Sequence, residues 1–252
     1  MIMKVDLFFC GDSNTFGAEL EGQEDDHKKR VAQRYSTLVS EELGKTHHNI
    51  SQSGSCNDWI VKNVVEWFEA GNTCDIAVIQ FSHEARWGYY DENGTYENMP
   101  RHSLPYQSNH YQLYTQQNCK VTDVLGKIPQ STREAYEAYC KNIWSEQLQL
   151  DNYWKNMFFL RSYLKDKCKV VWMTLNRIPK ETMTHGSQRE TNVWSKLCKD
   201  IEIGEQGVII QGNKCPRIGS EDDIKNGKGL PGSHPSEIGH QNIANWILER
   251  LA

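Results

Sequence analysis

The sequence predicts an α/β fold, a three-layer α/β/α sandwich built around a parallel sheet. Short apolar runs alternate along the chain with segments whose apolar residues recur at helical spacing, which is the pattern of βαβ units. The chain has 252 residues, enough to bury one full hydrophobic core. We therefore expect a single domain over residues 1–252, with an insertion at about 86–130.

The elements follow one another in chain order. Apolar runs predict five strands, at 4–10, 49–53, 75–81, 169–175 and 207–211. Apolar residues at helical spacing predict helices between and after them, at about 31–43, 57–68, 132–167 and 236–251. Ser236 is a suitable N-cap for the last of these helices, inside which His240 is expected to pack.

The segment from about Arg86 to Gln130 interrupts this alternation. It is rich in Tyr, Asn, Gln and Pro and has little periodicity. Insertions after strand ends carry recognition more often than framework, so this segment is a candidate substrate-facing cap. A dimer surface or simple decoration of the fold predicts the same composition. Its aromatic side chains suit stacking on sugar rings, and they equally suit a small subsidiary core.

Composition argues against several classes of function. The chain carries 33 acidic and 28 basic residues, scattered along its length, which leaves no electrostatic footprint for nucleic acid or an anionic membrane. No apolar run is long enough for a membrane helix, and the N-terminus lacks signal-peptide features, so a cytoplasmic protein is expected. The eight cysteines form no Cys-x-x-Cys pair, and we predict no metal, no cofactor and no disulfide framework.

The strongest functional signal is Gly11-Asp12-Ser13, directly after the first predicted strand. A strand that ends here holds the Ser13 hydroxyl at the carboxyl edge of the sheet, where ligand sites form in open α/β folds. A serine hydroxyl needs a base before it can act as a nucleophile. The segment 233–240 near the other end of the chain supplies His234 as the candidate base.

These two motifs, with Gly54 between them, resemble the SGNH (GDSL) hydrolase family, in the divergent form that is also found in phage genomes. The resemblance implies a flavodoxin-like sandwich and a serine hydrolase that cleaves carboxylic esters without a metal. It identifies Ser13 as the nucleophile, with its backbone N–H as one oxyanion donor. It identifies Gly54, in the segment 49–55, as the second donor.

The third family motif, Gly-x-Asn-Asp after the third strand, has no direct counterpart in this chain. The corresponding segment reads Ser82-His83-Glu84. If Glu84 takes the place of the terminal Asp, His83 stands at the Asn position and supplies a ring N–H, with Ser82 as the adjacent alternative. An oxyanion hole made of backbone donors alone is the remaining interpretation.

The fourth family motif is Asp-x-x-His, in which the Asp orients the imidazole. His234 matches the histidine, but the Asp position is Pro231. Either a Ser-His dyad acts alone, or His234 is oriented by Asp222, by Asp223 or by a backbone carbonyl.

The family implies acyl transfer to Ser13 and release of the acyl group by water. The polar, aromatic insertion favours a short acyl group such as acetyl on a carbohydrate or other polar carrier. We expect a small-molecule or carbohydrate ester as substrate, with no nucleic-acid or membrane partner, and a phage-encoded protein acting in a host cell is compatible with this. The oligomeric state stays open. The alternative is a catalytically silent binding module on the same fold, or a structural or assembly protein, because two family motifs are degenerate.

Overall fold

A computed structural model of the chain describes residues 2–20, 27–83, 86, 88–90, 96–98, 130–143, 146–174, 193–215 and 234–252. Most of the predicted insertion at 86–130 therefore lies outside the described residues. The loop that contains Asp222, Asp223 and Pro231 lies outside them as well.

A five-stranded parallel sheet forms the centre of the fold. The strands of the described residues are β1 (Lys4–Cys10), β2 (His47–Asn49), β3 (Thr73–Phe81), β4 (Gly88–Tyr90), β5 (Tyr96–Asn98), β6 (Lys169–Thr174) and β7 (Ile203–Glu205). The sheet has the order β2-β1-β3-β6-β7, while β4 and β5 form a separate antiparallel pair. This is the strand order of the flavodoxin-like doubly wound sheet, and the predicted fold class is confirmed.

The register of the strands brings their carboxyl ends to one edge of the sheet. Cys10 at the end of β1 pairs with Ile79 of β3, and Phe81 at the end of β3 pairs with Thr174 at the end of β6. The strand order reverses between β1 and β3, which is the point where ligands bind in open α/β sheets. The chain that follows these two strands is therefore placed to form a site.

Helices cover both faces of the sheet. Those of the described residues are α1 (Ser13–Phe16), α2 (His27–Gln33), α3 (Tyr35–Leu43), α4 (Asn57–Glu69), α5 (Gln130–Asn142), α6 (Glu146–Leu164), α7 (Val193–Leu197), α8 (Gln206–Ile209) and α9 (Glu237–Leu251). The helices α3 and α9 pack together on one face, and α4 and α6 pack together on the other. None of the described helices has both the length and the apolar character needed to cross a membrane.

The interior strand β1 contributes to a core on each face, because successive side chains of a strand point to opposite sides. Phe8 stacks on Trp67 of α4, with ring centroids 4.3 Å apart. Phe9 lies edge-on to Tyr35 of α3 at 6.1 Å. Burial on both faces explains why this strand reads as a nearly continuous apolar run rather than an alternating one.

The fifth strand lies earlier than predicted. The prediction placed it at 207–211, whereas β7 spans Ile203–Glu205 and the next residues form α8. A short apolar run does not distinguish a strand from a buried helical turn. Here the last apolar residue of the run, Ile210, is buried in the core beside α9, and a helical turn is sufficient to place it there.

Other boundaries were also predicted wrongly. The helix predicted over 31–43 is divided into α2 and α3, because Arg34 is extended and forms the N-cap of α3. The helical stretch predicted over 132–167 consists of α5 and α6. The second strand ends at Asn49, whose side-chain carbonyl accepts the backbone N–H of Ser51 at 2.9 Å and turns the chain.

Candidate active site

The Gly-Asp-Ser motif forms a tight turn from β1 into α1. Asp12 is the N-cap of α1, and Ser13 is its first residue. The turn needs glycine before them, because a Cβ atom on Gly11 would collide with the Thr15 hydroxyl and lie 2.9 Å from Cβ of Gln80. The motif therefore places the Ser13 side chain at the carboxyl end of β1.

The carboxylate of Asp12 is fully buried and accepts hydrogen bonds from five donors. Its Oδ1 accepts the backbone and side-chain N–H of Asn14 and the side-chain N–H of Gln80, all at 2.9 Å. Its Oδ2 accepts the Ser82 hydroxyl at 3.0 Å and Nη1 of Arg86 at 2.9 Å. Burial alone raises the pKa of Asp12, but the Arg86 charge and these hydrogen bonds outweigh it and lower the pKa.

Ser82 and His83 directly follow β3 and are both buried. The Ser82 hydroxyl donates to Asp12, and its backbone N–H donates to the side chain of Asn57 at 2.7 Å. Because a hydroxyl has one proton, this geometry commits the Ser82 donor to Asp12. The carbonyl of His83 accepts the Arg86 backbone N–H at 3.2 Å.

Gly54 lies in the turn between β2 and α4 with a φ of 87°, a conformation that favours glycine. A Cβ atom added there would meet no described atom within 4 Å. The turn is tied to the segment of Asp12 and Ser13 by Arg86, whose Nη1 donates to the Ser55 carbonyl at 3.1 Å as well as to Asp12. One guanidinium thus connects both segments that the family resemblance assigns to the oxyanion hole.

The two ends of the chain meet at Ser13. His234 Nε2 lies 2.8 Å from Ser13 Oγ, although 221 residues separate them in sequence. The loop that carries His234 is held by backbone bonds, from the Cys215 N–H to the His234 carbonyl at 2.9 Å and from the Ser236 N–H to Asn213 at 3.0 Å. Ser236 then caps α9, as predicted, by accepting the Gly239 N–H.

The other ring nitrogen of His234 contacts a residue that the sequence analysis missed. Nδ1 lies 2.6 Å from Oε1 of Glu19, in the chain that follows α1. No known motif marks Glu19; the available signal was the missing Asp at position 231 together with an acidic residue close to the nucleophile. The residues predicted for this role, Asp222 and Asp223, lie outside the described part of the chain.

His240 shares the C-terminal segment with His234 but has a different environment. Its Nδ1 accepts the backbone N–H of Tyr35 at 3.1 Å, and its ring stacks on the Tyr35 ring at 5.6 Å. Burial, together with the nearby charges of His234 and Arg34, lowers the pKa of His240 to about 3. His240 is therefore neutral at pH 7 and packs inside the helix layer, as the sequence predicted.

The arrangement is suited to nucleophilic chemistry. A serine hydroxyl in hydrogen-bond contact with an imidazole nitrogen loses its proton as it attacks an electrophilic carbon. Both side chains are buried at the carboxyl edge of the sheet. Among the described residues, no group of three or more His, Cys, Asp or Glu side chains is arranged to hold a metal ion.

Comparison with solved structures finds similarity over the full length of the chain. A catalytic mutant of an acetylxylan esterase from Geobacillus stearothermophilus matches with a TM-score of 0.49 and 13% identity, covering 100% of this chain and 96% of that chain. A lipolytic protein of the G-D-S-L family from Veillonella parvula matches with a TM-score of 0.43 and 11% identity, covering 98% and 97%. No protein-family model and no curated protein matches the sequence.

Proposed function

We propose that this protein is a serine ester hydrolase in which Ser13 is the nucleophile and His234 is the general base. The observation that carries the proposal is the 2.8 Å contact between Ser13 Oγ and His234 Nε2 at the switch point of the sheet. Both residues of this contact belong to the short motifs that the sequence analysis singled out at opposite ends of the chain. A chance contact between a serine and a histidine would not be expected to join those two motifs. The proposed enzyme is one domain over residues 1–252, is cytoplasmic and uses no cofactor.

The reaction proceeds by acyl transfer in two halves. Ser13 Oγ attacks the carbonyl carbon of the ester while its proton passes to His234 Nε2. The tetrahedral intermediate collapses, the carbon–oxygen bond to the alcohol breaks, and the departing alcohol takes the proton from His234. Water then attacks the acyl group on Ser13, His234 accepts the proton of that water and returns it to Ser13 Oγ, and the carboxylic acid leaves.

Backbone N–H groups supply the proposed oxyanion hole. Ser13 is the first residue of α1, and the first N–H groups of a helix have no carbonyl acceptor within that helix. Gly54 contributes the second N–H from a turn that Arg86 holds against the nucleophile segment. Of the two side chains considered for a third donor, His83 is preferred, because the Ser82 hydroxyl already donates to Asp12.

The proposed substrate carries a short acyl group, such as acetyl, on a carbohydrate or another small polar carrier. The support is compositional: the segment at about 86–130 is rich in Tyr, Asn and Gln, residues that stack on sugar rings and bond to hydroxyl groups. It begins directly after β3, at the edge where the proposed nucleophile lies.

Labelling with a fluorophosphonate probe, paired with turnover of p-nitrophenyl acetate, tests the proposal. Wild type is compared with Ser13→Ala, His234→Ala and the control Ser40→Ala. The control removes a hydroxyl near the C-terminal end of α3 that donates to the Lys45 carbonyl. We expect Ser13→Ala to abolish labelling and both site variants to lower kcat by up to about 10⁶-fold, as for other serine hydrolases. The Ser40 variant should retain both signals.

Two outcomes contradict the proposal. Labelling that persists in Ser13→Ala assigns the reactive nucleophile to another residue. Folded wild-type protein that neither labels nor turns over the ester favours the catalytically silent binding module instead.

A further inference from the structure

The carboxylate of Glu19 holds His234 at two points. Oε1 lies 2.6 Å from the ring nitrogen Nδ1, and Oε2 accepts the backbone N–H of the same residue at 3.3 Å. Both side chains are largely buried, with 13% of Glu19 and 8% of His234 exposed. One carboxylate therefore limits both the rotation of the imidazole and the position of the loop that carries it.

The contact determines which nitrogen of His234 carries the proton. A carboxylate only accepts hydrogen bonds, so Nδ1 is the protonated nitrogen of the neutral ring. Nε2 then presents its lone pair to the Ser13 hydroxyl at 2.8 Å. When His234 takes the proton of Ser13, the adjacent negative charge of Glu19 stabilises the imidazolium that forms.

The backbone of Glu19 is in an unfavourable conformation. Its φ is 72°, in the left-handed region, which is disfavoured for any residue other than glycine. Such strain persists where surrounding contacts enforce it, and it concentrates at functional sites. The contacts are present here: Leu20 is buried directly after Glu19, and Sγ of Cys215 lies 3.7 Å from the Glu19 carbonyl.

Cys215 joins the acid and the base. Its backbone N–H donates to the His234 carbonyl at 2.9 Å, while its Sγ lies near the carbonyls of Glu19 and of Pro235, the latter at 3.2 Å. The strained residue and the loop of His234 are thus connected through one buried side chain. This connection is independent of the carboxylate contact itself.

Resting on the proposed function, we propose that Glu19 is the third member of a Ser13–His234–Glu19 triad, as a positioning residue that acts through His234. The place three residues before His234, where the resembled family has its Asp, is Pro231 and offers no carboxylate. The acid instead comes from the segment that carries the nucleophile. The turn through α1 therefore sets the positions of both Ser13 and Glu19 against a histidine delivered from the C-terminus.

Kinetics of Glu19→Gln and Glu19→Asp test this assignment. Glutamine keeps the size of the side chain but removes its charge and allows the wrong tautomer of His234. We expect kcat to fall about 10³–10⁴-fold with little change in KM. Aspartate restores the charge and should recover part of kcat, which loss of packing alone does not predict.

A matched control removes a negative charge close to His234 without touching its ring. Glu237 lies three residues further along the chain, and its carboxylate pairs with Lys29 at 3.5 Å. Glu237→Gln should keep kcat within about two-fold, since exposed charges act weakly. His240, the other titratable group near His234, is present in every variant, and its influence cancels in the comparison.

A second measurement does not depend on activity. Proton NMR of wild type should show a low-field Nδ1–H resonance of His234, absent from His234→Ala and lost or moved upfield in Glu19→Gln. A resonance and kinetics unchanged in Glu19→Gln overturn the triad and leave the Ser13–His234 hydrolase standing. Wild type that neither labels nor hydrolyses esters overturns the proposed function and the catalytic role of Glu19 together, while the resonance still reports whether the two residues pair.

Discussion

Two acidic side chains flank Ser13, and their surroundings differ. Asp12, immediately before it, is fully buried, and its oxygens accept five hydrogen bonds from four residues. Glu19, at the far end of the same turn, is 13% exposed and contacts His234 with both oxygens. A carboxylate is thus part of a closed hydrogen-bond network on one side of Ser13 and of an open chain of contacts on the other.

The two carboxylates are expected to have different roles, Asp12 in stability and Glu19 in turnover. The Asp12 carboxyl does not serve as a proton donor, because the Arg86 charge and the surrounding hydrogen bonds lower its pKa and keep it ionised. The contacts from Glu19 through His234 end at the hydroxyl of Ser13, whose proton passes to His234 in the proposed reaction. We therefore expect damage to the Asp12 network to appear as lost stability and damage to the Glu19 chain to appear as lost turnover.

Removing the Asp12 carboxylate should have the largest effect on stability. Asp12→Ala leaves the guanidinium of Arg86, which is 7% exposed, without its counter-charge, and an orphaned buried charge costs about 3–5 kcal/mol. Urea unfolding at pH 7 measures the loss. Glu19→Gln, measured beside it, should change the free energy of unfolding by less than about 1 kcal/mol, because the glutamine carbonyl can still accept a hydrogen bond.

A double variant distinguishes the cost of leaving Arg86 unpaired from the other effects of removing Asp12. If the cost in Asp12→Ala arises from the unpaired Arg86, then adding Arg86→Met should recover much of it, by about 2 kcal/mol or more. Equal losses in the single and double variants contradict this explanation. They would show that Asp12 matters as the cap of α1 rather than as the partner of Arg86.

The sequence predicts one of these two regions better than the other. Gly11, Asp12 and Ser13 are adjacent and follow an apolar strand, so local signals are sufficient to place them. The Ser13–His234 pairing was predictable because each residue lies in a short motif of a known order. Glu19 belongs to no motif, and its role arises only when the C-terminal loop folds back onto the segment after α1.

The same reasoning explains the other misses. Arg86 contacts Asp12 and Ser55 across the sheet edge, and nothing in its neighbourhood of the sequence indicates either partner. The run at 207–211 has strand-like composition, yet its burial against α9 is a tertiary contact that a helical turn satisfies. Periodicity predicted the layers correctly because burial on one or two faces is a property of each segment alone.

His240, in the same C-terminal segment as His234, should make the stability of the protein depend on pH. The folded pKa of His240, about 3, lies below the ordinary value of 6.5, so the unfolded chain binds a proton there that the folded chain does not. His240 therefore contributes stability that is present above pH 6.5 and is lost as pH falls from 6.5 toward 3. Between pH 6 and pH 4 the loss should be about 2 kcal/mol.

The variant His240→Asn isolates this effect. Its side-chain oxygen can still accept the Tyr35 N–H, but it cannot take up a proton. The variant should be less stable than wild type at pH 7, where ring packing on Tyr35 is lost, and its stability should fall less steeply below pH 6.5. Urea titrations at several pH values measure both slopes, and parallel slopes would rule out His240 as the titrating group.

The smallest effect is predicted for a substitution at the hydrogen bond of the Asp12 network that lies farthest from Asp12. The Tyr35 hydroxyl donates to Thr15 Oγ1 at 2.6 Å, Thr15 donates to Gln80, and Gln80 donates to Asp12 at 2.9 Å. Tyr35→Phe removes the first of these bonds and should cost about 1 kcal/mol. Because the inner bonds to Asp12 remain, kcat should stay within about two-fold of wild type. A ten-fold loss of kcat without a loss of stability would mean that the closed network also positions Ser13 for reaction, and the separation between the two carboxylates would then fail.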